Sequence, residues 1–510
     1  MPTYLSPGVY VEEVEAGSRP IEGVGTAVAA FVGLAAHGPA NEPTLVSNWS
    51  QFTQTFGDFV EGSYLAHAVY GYFQNGGGNC YIVRVGGNGS EPPARAELTA
   101  GSDGNKLAAY RISALEGGTE GNNITVEVTD PGEGAPDDSF KLVVKRGNRV
   151  EEEHDKVTTK RGKQNVVTMV NAQSKLIRLE ELLAPTAAGA LEKLEKGTVR
   201  LGGGGGPQPV APDDYVGNAS ERTGFGGLEA IDPITMVCCP DVMAAYQRGM
   251  IDLEGVQAIQ LAMISHCEQM GDRVAILDPP PGLNAQQIRE WRVDKAGYDS
   301  KYAALYWPWL KVFDPQTGQN VHVPPSGHMA GIWGRNDDSR GVHKAPANEV
   351  IRGAIAPELQ ITKAEQELLN PNGINCIRAF PGRGVRVWGA RTLSSDPAWR
   401  YLNVRRLFNY LEESILSGTQ WTVFEPNDQA LWAKMRRTIS AFLVNEWRKG
   451  ALFGLNPDEA FYVKCDEETN PAESIDAGMV ICEVGVAPVK PAEFVIFRLS
   501  QFSGGVALTE

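Results

Sequence analysis

Apolar, strand-like segments at both ends are the feature that most constrains the fold of this 510-residue chain. The N-terminal segment consists of Val9, Tyr10, Val11 and Glu12. The C-terminal segment consists of Phe494, Val495, Ile496, Phe497, Arg498 and Leu499. Residues of these types favour strands, whereas chain ends are usually polar and fray. We therefore expect each segment to pair within its own domain or, as a donated strand, with a neighbouring subunit.

The composition is that of a large globular protein. The length predicts roughly three domains, and an apolar fraction of 42% can supply a large core. A net charge of −16 argues against a nucleic-acid coat as the role of the whole chain.

The seven cysteines form no CxxC pair and lie mostly in apolar runs, which indicates buried free thiols in a reducing compartment. No signal-peptide pattern opens the sequence, and no apolar run reaches the roughly 18 residues that span a bilayer. We expect folding and assembly in a bacterial or host cytoplasm, with no direct membrane insertion.

The spacing of apolar runs predicts an α/β (mixed α+β) fold with several domains. An apolar run at 26–34, a helical pattern at 63–74 and a second apolar run at 80–85 give the order strand, helix, strand. A similar pattern resumes at 234–239, and two long helices follow near 404–415 and after Asn427, the expected N-cap.

Between these parts the chain is richer in glycine and charge, which predicts an inserted, mostly β domain that faces outward. The expected organisation is an N-terminal arm at 1–20, core at 21–95, insertion at 96–220, core at 221–487 and a C-terminal arm at 488–510.

Several short motifs follow one another in a characteristic order over some 400 residues. They are PGVYVEE at 7–13, segments at 33–39 and 52–57, DDY at 213–215, SGHMAG at 326–331, WGARTL at 388–393, YLNVRRL at 401–407 and FEPN at 424–427. In this order they resemble the contractile tail sheath proteins of phages and phage-tail-like contractile injection systems. The insertion carries no sharp match.

The resemblance implies a structural virion or particle component without cofactors. Subunits would polymerise helically, in six-fold rings, around an inner tube protein, with baseplate and terminal cap proteins at the ends. Terminal arms would exchange strands between neighbours, and contraction would drive the tube through a target envelope. The energy would come from repacking of a metastable sleeve into a more stable one.

A basic C-terminal region suggests where a tube could bind. Residues 371–450 hold twelve basic and six acidic residues within an acidic chain. Since the resemblance places this region towards the tube, we predict that Arg400, Arg405 and Arg406 face an acidic tube surface. The alternative is that these arginines pair with local carboxylates such as Glu412 and Glu413.

Some motifs invite an enzymatic interpretation. Asp278-Pro279-Pro280 after an apolar strand is similar to a loop of amino-methyltransferases, but Pro281 replaces the expected aromatic residue and no Gly-rich cofactor loop precedes it. A strand terminator is the simpler interpretation. The glycine run at 202–206 lacks the Lys-Ser/Thr of a phosphate loop and predicts a linker.

The sequence gives little support to a metal site or a sugar site. His322, His328 and His343 with Asp337 and Asp338 match no short metal-ligand spacing. Ser326 is better explained as a helix cap, and Asp213-Asp214 as a turn or domain junction. Trp307, Trp309 and Trp333 indicate core or interface aromatics rather than a sugar platform.

Three classes of function remain. A structural polymer is favoured. Its nearest alternative is another tail subunit such as a tube protein, but the chain is much longer than the tube subunits that the resemblance implies. A methyltransferase predicts cofactor binding, and a nucleic-acid module at 371–450 predicts salt-dependent binding.

Overall fold

The computed structural model describes most of the chain. It describes residues 20–85, 93–100, 107–115, 119–136, 138–147, 149–160, 162–182, 194–203 and 211–498. The segment of Val9, Tyr10, Val11 and Glu12 lies outside these residues, as does Leu499.

Two compact units make up the described residues. The larger unit contains residues 20–36, 43–83 and 216–498, and the smaller contains 37–42 and 84–215. The longer stretch of the smaller unit begins at Arg84 and includes the strand at 95–100, which belongs to one of its sheets.

Strands occur throughout both units. They are β1 (Ala29–Gly33), β2 (Thr44–Val46), β3 (Cys80–Arg84), β4 (Arg95–Ala100), β5 (Leu107–Ala114), β6 (Ile124–Thr129), β7 (Ser139–Arg146), β8 (Arg149–Thr158), β9 (Ile177–Glu181), β10 (Gly197–Arg200), β11 (Met236–Cys238), β12 (Val274–Leu277), β13 (Ala303–Trp307), β14 (Leu310–Phe313), β15 (Asn320–Val323), β16 (Ala354–Pro357), β17 (Ile374–Phe380), β18 (Gly384–Val387), β19 (Phe461–Lys464) and β20 (Glu483–Val486).

Helices are concentrated in the larger unit. They are α1 (Trp49–Phe56), α2 (Leu65–Gln74), α3 (Val166–Gln173), α4 (Pro212–Val216), α5 (Asp241–Gln247), α6 (Leu253–Met270), α7 (Ala285–Glu290), α8 (Ser326–Arg340), α9 (Lys363–Leu369), α10 (Leu402–Gly418), α11 (Gln429–Arg448), α12 (Pro457–Ala460) and α13 (Ala472–Asp476).

The core of the larger unit is an eight-stranded sheet in the order β18-β17-β13-β12-β11-β1-β3-β2. Its central strands run parallel, from β1 through β11, β12 and β13 to β17. Every residue of β1 and β13 is buried, as expected for parallel strands covered on both faces. The predicted α/β fold is therefore confirmed.

Close packing of α8 on α2 explains the SGHMAG motif. A Cβ atom at Gly327 would stand 2.3 Å from the carbonyl oxygen of Ala68, and one at Gly331 would stand 2.4 Å from that of Tyr72. The backbones of the two helices can approach this closely only because both positions lack a side chain.

The smaller unit is built from two antiparallel sheets, β10-β6-β7-β8 and β4-β5-β9. Alternate residues of β6, namely Ile124, Val126 and Val128, are buried in its own apolar core, which also receives Val166 and Val170 from α3. This unit is mostly β, as predicted.

The last part of the larger unit packs α10 and α11 with a two-stranded sheet of β19 and β20. Leu407 and Leu411 of α10 meet Phe442 and Leu443 of α11 in a separate apolar cluster. The N-cap of α11 is Asp428, which accepts a hydrogen bond from the Leu431 amide, rather than the predicted Asn427.

The aromatic run at 302–312 is divided near Pro308: β13 joins the large sheet, whereas β14 pairs with β15 and β16. Residues 494–498 form no strand among the described residues, so their pairing with a neighbouring subunit stays a prediction. No helix of the described residues has the length and apolarity needed to cross a membrane.

Candidate assembly surface

The C-terminal segment leaves the body of the larger unit directly after β20. Backbone bonds first hold it: the Phe453 amide donates to the Ala487 carbonyl at 2.8 Å, and the Val489 amide donates to that of Ala451 at 3.2 Å. The Asn403 side chain then donates to the Val489 carbonyl at 3.1 Å. The exit direction of the segment is therefore fixed as far as residue 489.

A carboxylate anchors the segment four residues later. Arg391 donates to both oxygens of Glu493, through Nε at 2.9 Å and Nη2 at 2.5 Å, and Asn370 Nδ2 donates at 2.8 Å. Burial favours the neutral acid, but the hydrogen bonds from Arg391 and Asn370 outweigh it and hold the pKa of Glu493 below its ordinary value. The anchor is therefore an ion pair at neutral pH.

Beyond this anchor the side chains project into solvent. The exposed fractions of Phe494, Val495, Ile496 and Phe497 are 72%, 69%, 78% and 85%. Among the described residues these four make no strand pairing. Contiguous exposed apolar residues are typical of a protein interaction site.

A small sheet lies near the start of the same segment. β19 and β20 pair with each other in antiparallel register from Phe461–Val486 to Lys464–Glu483. Within the part of the chain that is described, neither strand has a second neighbour, so each leaves one edge with free backbone groups. Such edges accept added strands.

A second apolar protrusion lies in the loop that joins α10 and α11. Phe424 is fully exposed and Val423 is 59% exposed. The backbone of Phe424 has a φ of 66°, a left-handed conformation that costs energy for a residue with a side chain. The FEPN motif at 424–427 thus presents an aromatic ring outward.

The arginines predicted to face a tube are not equivalent. Arg400 is exposed, but Arg405 and Arg406 are only 1% and 4% exposed. The prediction is therefore wrong for Arg405 and Arg406 in this conformation, because their guanidinium groups are enclosed by the larger unit. It stays a prediction for Arg400.

Both buried arginines have internal partners. Arg406 Nη2 lies 2.6 Å from Asp337 Oδ2 on α8 and 3.0 Å from the Thr26 carbonyl oxygen, and its guanidinium lies over the Trp333 ring. Arg405 binds Glu412 at 3.1 Å, in agreement with the local-pairing alternative. Thr26 and Asp337 are far from Arg406 in sequence, which is why the sequence pattern did not reveal them.

The candidate catalytic motif has a structural role. Asp278 is buried, and its Oδ1 accepts a hydrogen bond from the Ser326 amide at 2.9 Å, so Asp278 caps α8 from another element. Burial raises the pKa of Asp278 to about 7. The expected cap by the Ser326 side chain is wrong, since Pro325 occupies the N-cap without a side-chain bond.

The other candidate motifs also have structural roles. Trp307, Trp309 and Trp333 are buried, as predicted. Asp337 is committed to Arg406, and among the described residues no three His, Cys, Asp or Glu side chains form a metal-binding group. Asp214 accepts a hydrogen bond from the Ala211 amide in the turn before α4.

Comparison with known proteins identifies the class that this fold and surface define. The family described as phage tail sheath protein central domain matches residues 234–393, and the phage tail sheath C-terminal domain matches residues 394–502. Together the two domains cover more than half of the sequence. The chain belongs to the phage tail sheath family, whose members are structural proteins rather than enzymes.

Individual relatives agree. The tail sheath protein of Burkholderia phage BcepMu is 24% identical over 95% of this chain and 94% of its own length. The tail sheath protein of Vibrio phage KVP40 is 28% identical over 44% of this chain, and a putative prophage major tail sheath protein of Pseudomonas aeruginosa is 26% identical over 48%. The chain matches only 36% and 61% of the lengths of these last two.

Solved structures share the fold along nearly the whole chain. The contracted helical sheath of the anti-feeding prophage has a TM-score of 0.59 at 25% identity, covering 98% of this chain and 100% of that one. The contracted PVC sheath complex of an extracellular contractile injection system has a TM-score of 0.58 at 24% identity, covering 98% and 99%.

The anchor of the C-terminal segment is the functional feature that sequence reasoning missed. Arg391 and Tyr401 belong to the WGARTL and YLNVRRL motifs, but their spacing gives no sign that both meet Glu493. The pairing of Arg391 with Glu493 is separated by 102 residues and follows only from the tertiary fold.

Proposed function

We propose that the chain is the repeating subunit of a contractile sheath, joined to its neighbours by exchanged strands. The observation that carries the proposal is the exposed apolar segment from Phe494 to Phe497, which leaves a fixed anchor and has no partner strand among the described residues. A head-to-tail contact between subunits generates an open helical polymer when its rotation does not close into a ring.

The edges of β19 and β20 are the proposed acceptors for donated strands. One edge would receive the C-terminal segment of one neighbour and the other the N-terminal segment with Val9, Tyr10, Val11 and Glu12 of another. Backbone hydrogen bonds would join the subunits and would persist while the subunit bodies rotate.

Rotation of the bodies would convert an extended sleeve into a shorter, wider one. The contraction would derive its energy from new contacts between subunits, with the extended form held kinetically. The solved relatives include a contracted helical sheath and a six-fold symmetrised baseplate of the anti-feeding prophage. These relatives support six-fold rings and association with a baseplate for this chain as well.

An inner tube and a terminal cap protein are proposed as further partners. Arg400 remains the candidate for contact with an acidic tube, because it is exposed at the start of the YLNVRRL helix. Exchange of Arg400 for Glu should weaken co-sedimentation with tubes, most strongly at low salt. Unchanged co-sedimentation at low salt would remove Arg400 from the tube contact.

Proline scanning of the C-terminal segment tests strand donation. Only alternate amides of a donated strand point to the acceptor, so Val495→Pro and Ile496→Pro are made separately. At least one should abolish striated cylinders in negative-stain electron microscopy, as should deletion of residues 494–510. Val495→Thr and Ile496→Thr are the matched controls, since threonine keeps the amide and favours strands.

Assembly by both proline variants would contradict strand donation through this segment. If full-length protein forms only small particles, the same variants are compared after addition of tube and baseplate.

A further inference from the structure

Two cysteines face each other at the loop end of the β19–β20 hairpin. The last pair in its register is Lys464–Glu483, so the next pair along the strands is Cys465 and Cys482. Cys465 is buried and Cys482 is half-buried. The two thiols are close enough for each to shift the pKa of the other. Directly opposed residues of antiparallel strands have Cα atoms about 4.5–5.5 Å apart, within the range of about 4.4–6.8 Å that a disulfide spans.

A polar clamp holds the hairpin together just beyond these thiols. The Asn470 side chain donates to the Ile481 carbonyl at 3.0 Å and accepts from the Ile481 amide at 2.6 Å. Its Nδ2 also lies 3.8 Å from Cys465 Sγ. The chain from 466 to 481 is therefore folded back so that the thiols are already aligned, and closing a bond would require little movement.

We propose that Cys465 and Cys482 are a redox couple that closes to a disulfide in an oxidising medium. The oxidant is a low-molecular-weight disulfide such as oxidised glutathione. The Cys482 thiolate, formed by loss of its proton to water, attacks one glutathione sulfur and releases a glutathione thiolate. The Cys465 thiol also loses its proton to water, and its thiolate attacks the Cys482 sulfur and releases the second glutathione thiolate, so two thiols are oxidised and one disulfide is reduced.

The couple differs from the other cysteines of the chain. The remaining cysteines are buried, and none of them stands opposite another in the registered strand pairs. They are Cys80, Cys238, Cys239, Cys267 and Cys376. Cys482 is the one cysteine with partial exposure, which gives an external oxidant a point of entry.

The charged groups around the couple predict slow oxidation at neutral pH. Burial raises the pKa of both thiols, that of Cys482 to about 12. Arg436 on α11 opposes this shift, whereas Asp466 and Glu483 add to it. Because the thiolate is the nucleophile, the rate of closure should increase about tenfold for each unit by which the pH rises, as long as the pH stays below that pKa.

The bond would brace the hairpin proposed above to accept donated strands, but it does not depend on strand donation. Its formation can be measured on unassembled protein, so failure of the couple and failure of strand exchange are distinguishable. In a particle that has left a reducing compartment, the bond would fix the ends of β19 and β20 covalently.

Mass spectrometry of the full chain tests the couple. The protein is incubated with oxidised glutathione at mildly alkaline pH. It is then denatured in the presence of iodoacetamide, which alkylates the remaining free thiols, and digested with trypsin. The peptide that follows Lys464 contains both cysteines. We expect it to lose about 2 Da and to carry no alkyl group, while the peptide with Cys267 is alkylated.

Single substitutions distinguish the couple from random oxidation. In the Cys465→Ser variant the reaction should stop at the mixed disulfide of Cys482 with glutathione. The Cys267→Ser variant should form the Cys465–Cys482 disulfide as the natural chain does. Alkylation of both Cys465 and Cys482 in the natural chain, or cross-links between chains, would overturn the proposal. Slower amide exchange at 466–481 after oxidation provides a second measurement, independent of whether the variants fold.

Discussion

At the residue scale, glycine is required on α8 where that helix meets α2. A Cβ atom at Gly331 would approach the Tyr72 carbonyl oxygen to 2.4 Å, and backbone cannot move aside as a side chain can. Gly331→Ala should therefore lower the free energy of unfolding by about 2–3 kcal/mol. Thermal unfolding of unassembled protein measures the change.

Gly334→Ala on the same helix is the matched control. The nearest atom to a Cβ at Gly334 is 3.5 Å away, which is an ordinary contact. Since alanine favours helix over glycine, this variant should be neutral or more stable by up to about 1 kcal/mol. Equal destabilisation by the two variants would show that the close approach of α8 and α2 is not the cause.

Asp278 gives a second prediction at this scale. Burial raises the pKa of its carboxyl from 3.8 to about 7, so the folded protein binds this proton more tightly than the unfolded chain. Its contribution to stability is fully present in acid and is lost as the pH rises from about 4 through 7.

Asp278→Asn should remove this pH dependence. The amide oxygen can still accept the hydrogen bond from the Ser326 amide, and no charge has to be buried. The stability of the variant relative to the natural chain should increase as the pH rises from 4 to 7, measured by thermal unfolding at each pH. If the difference in stability between Asp278→Asn and the natural chain stayed constant from pH 4 to 7, the raised pKa of Asp278 would be contradicted.

At the element scale, one buried ion pair joins helices that are distant in sequence. Arg406 of α10 and Asp337 of α8 are 4% and 3% exposed, and both also bind Thr26 just before β1. Three separate parts of the core thus meet at one charge pair. Removing one partner leaves the other charge buried, which costs far more than the pair itself contributes.

Arg406→Ala should accordingly destabilise the unassembled chain by about 3–5 kcal/mol. Arg400→Ala, on an exposed side chain six residues earlier, is the control and should change stability by less than about 0.5 kcal/mol. Chemical unfolding without any tube present measures both. Native-like stability of Arg406→Ala would argue that the pair is not closed in solution.

The same arginines show how far sequence reasoning reaches. The helix predicted near 404–415 is confirmed as α10, and Leu407 and Leu411 are buried on one face of it because burial repeats with the helical period. Arg406 was assigned to the surface because its partner Asp337 lies on another helix, and charge alone does not reveal a tertiary partner. In the smaller unit, the sequence pattern does not predict β8, since this strand contains mostly charged residues and few buried ones.

At the scale of the whole molecule, the fold prediction succeeded because long apolar runs mark the parallel core strands in sequence. The assembly surface could be predicted only in part. The exposed apolar residues Phe494 to Phe497 are visible in the sequence, whereas the Arg391 contact that sets their starting point is a tertiary one. The strength of that contact therefore decides how well the segment is presented to a neighbour.

Glu493→Gln tests this link between one contact and the assembly. Loss of the charge should weaken the anchor by about 1–2 kcal/mol at neutral pH, speed amide exchange at 490–498 and lower the yield of cylinders. Because the pKa of Glu493 is lowered in the folded chain, its charge stabilises the anchor above pH 4.5 and that stabilisation is lost as the pH falls below this value.

The difference in amide exchange between the natural chain and Glu493→Gln should therefore disappear in acid. Glu425→Gln, an exposed carboxylate in the loop between α10 and α11, is the control and should leave exchange at 490–498 unchanged. If Glu493→Gln assembles with full yield while its segment exchanges faster, the anchor only restrains the free subunit. If Glu493→Gln instead loses both the protection from amide exchange and the yield of cylinders, the Arg391–Glu493 pair orients the donated strand.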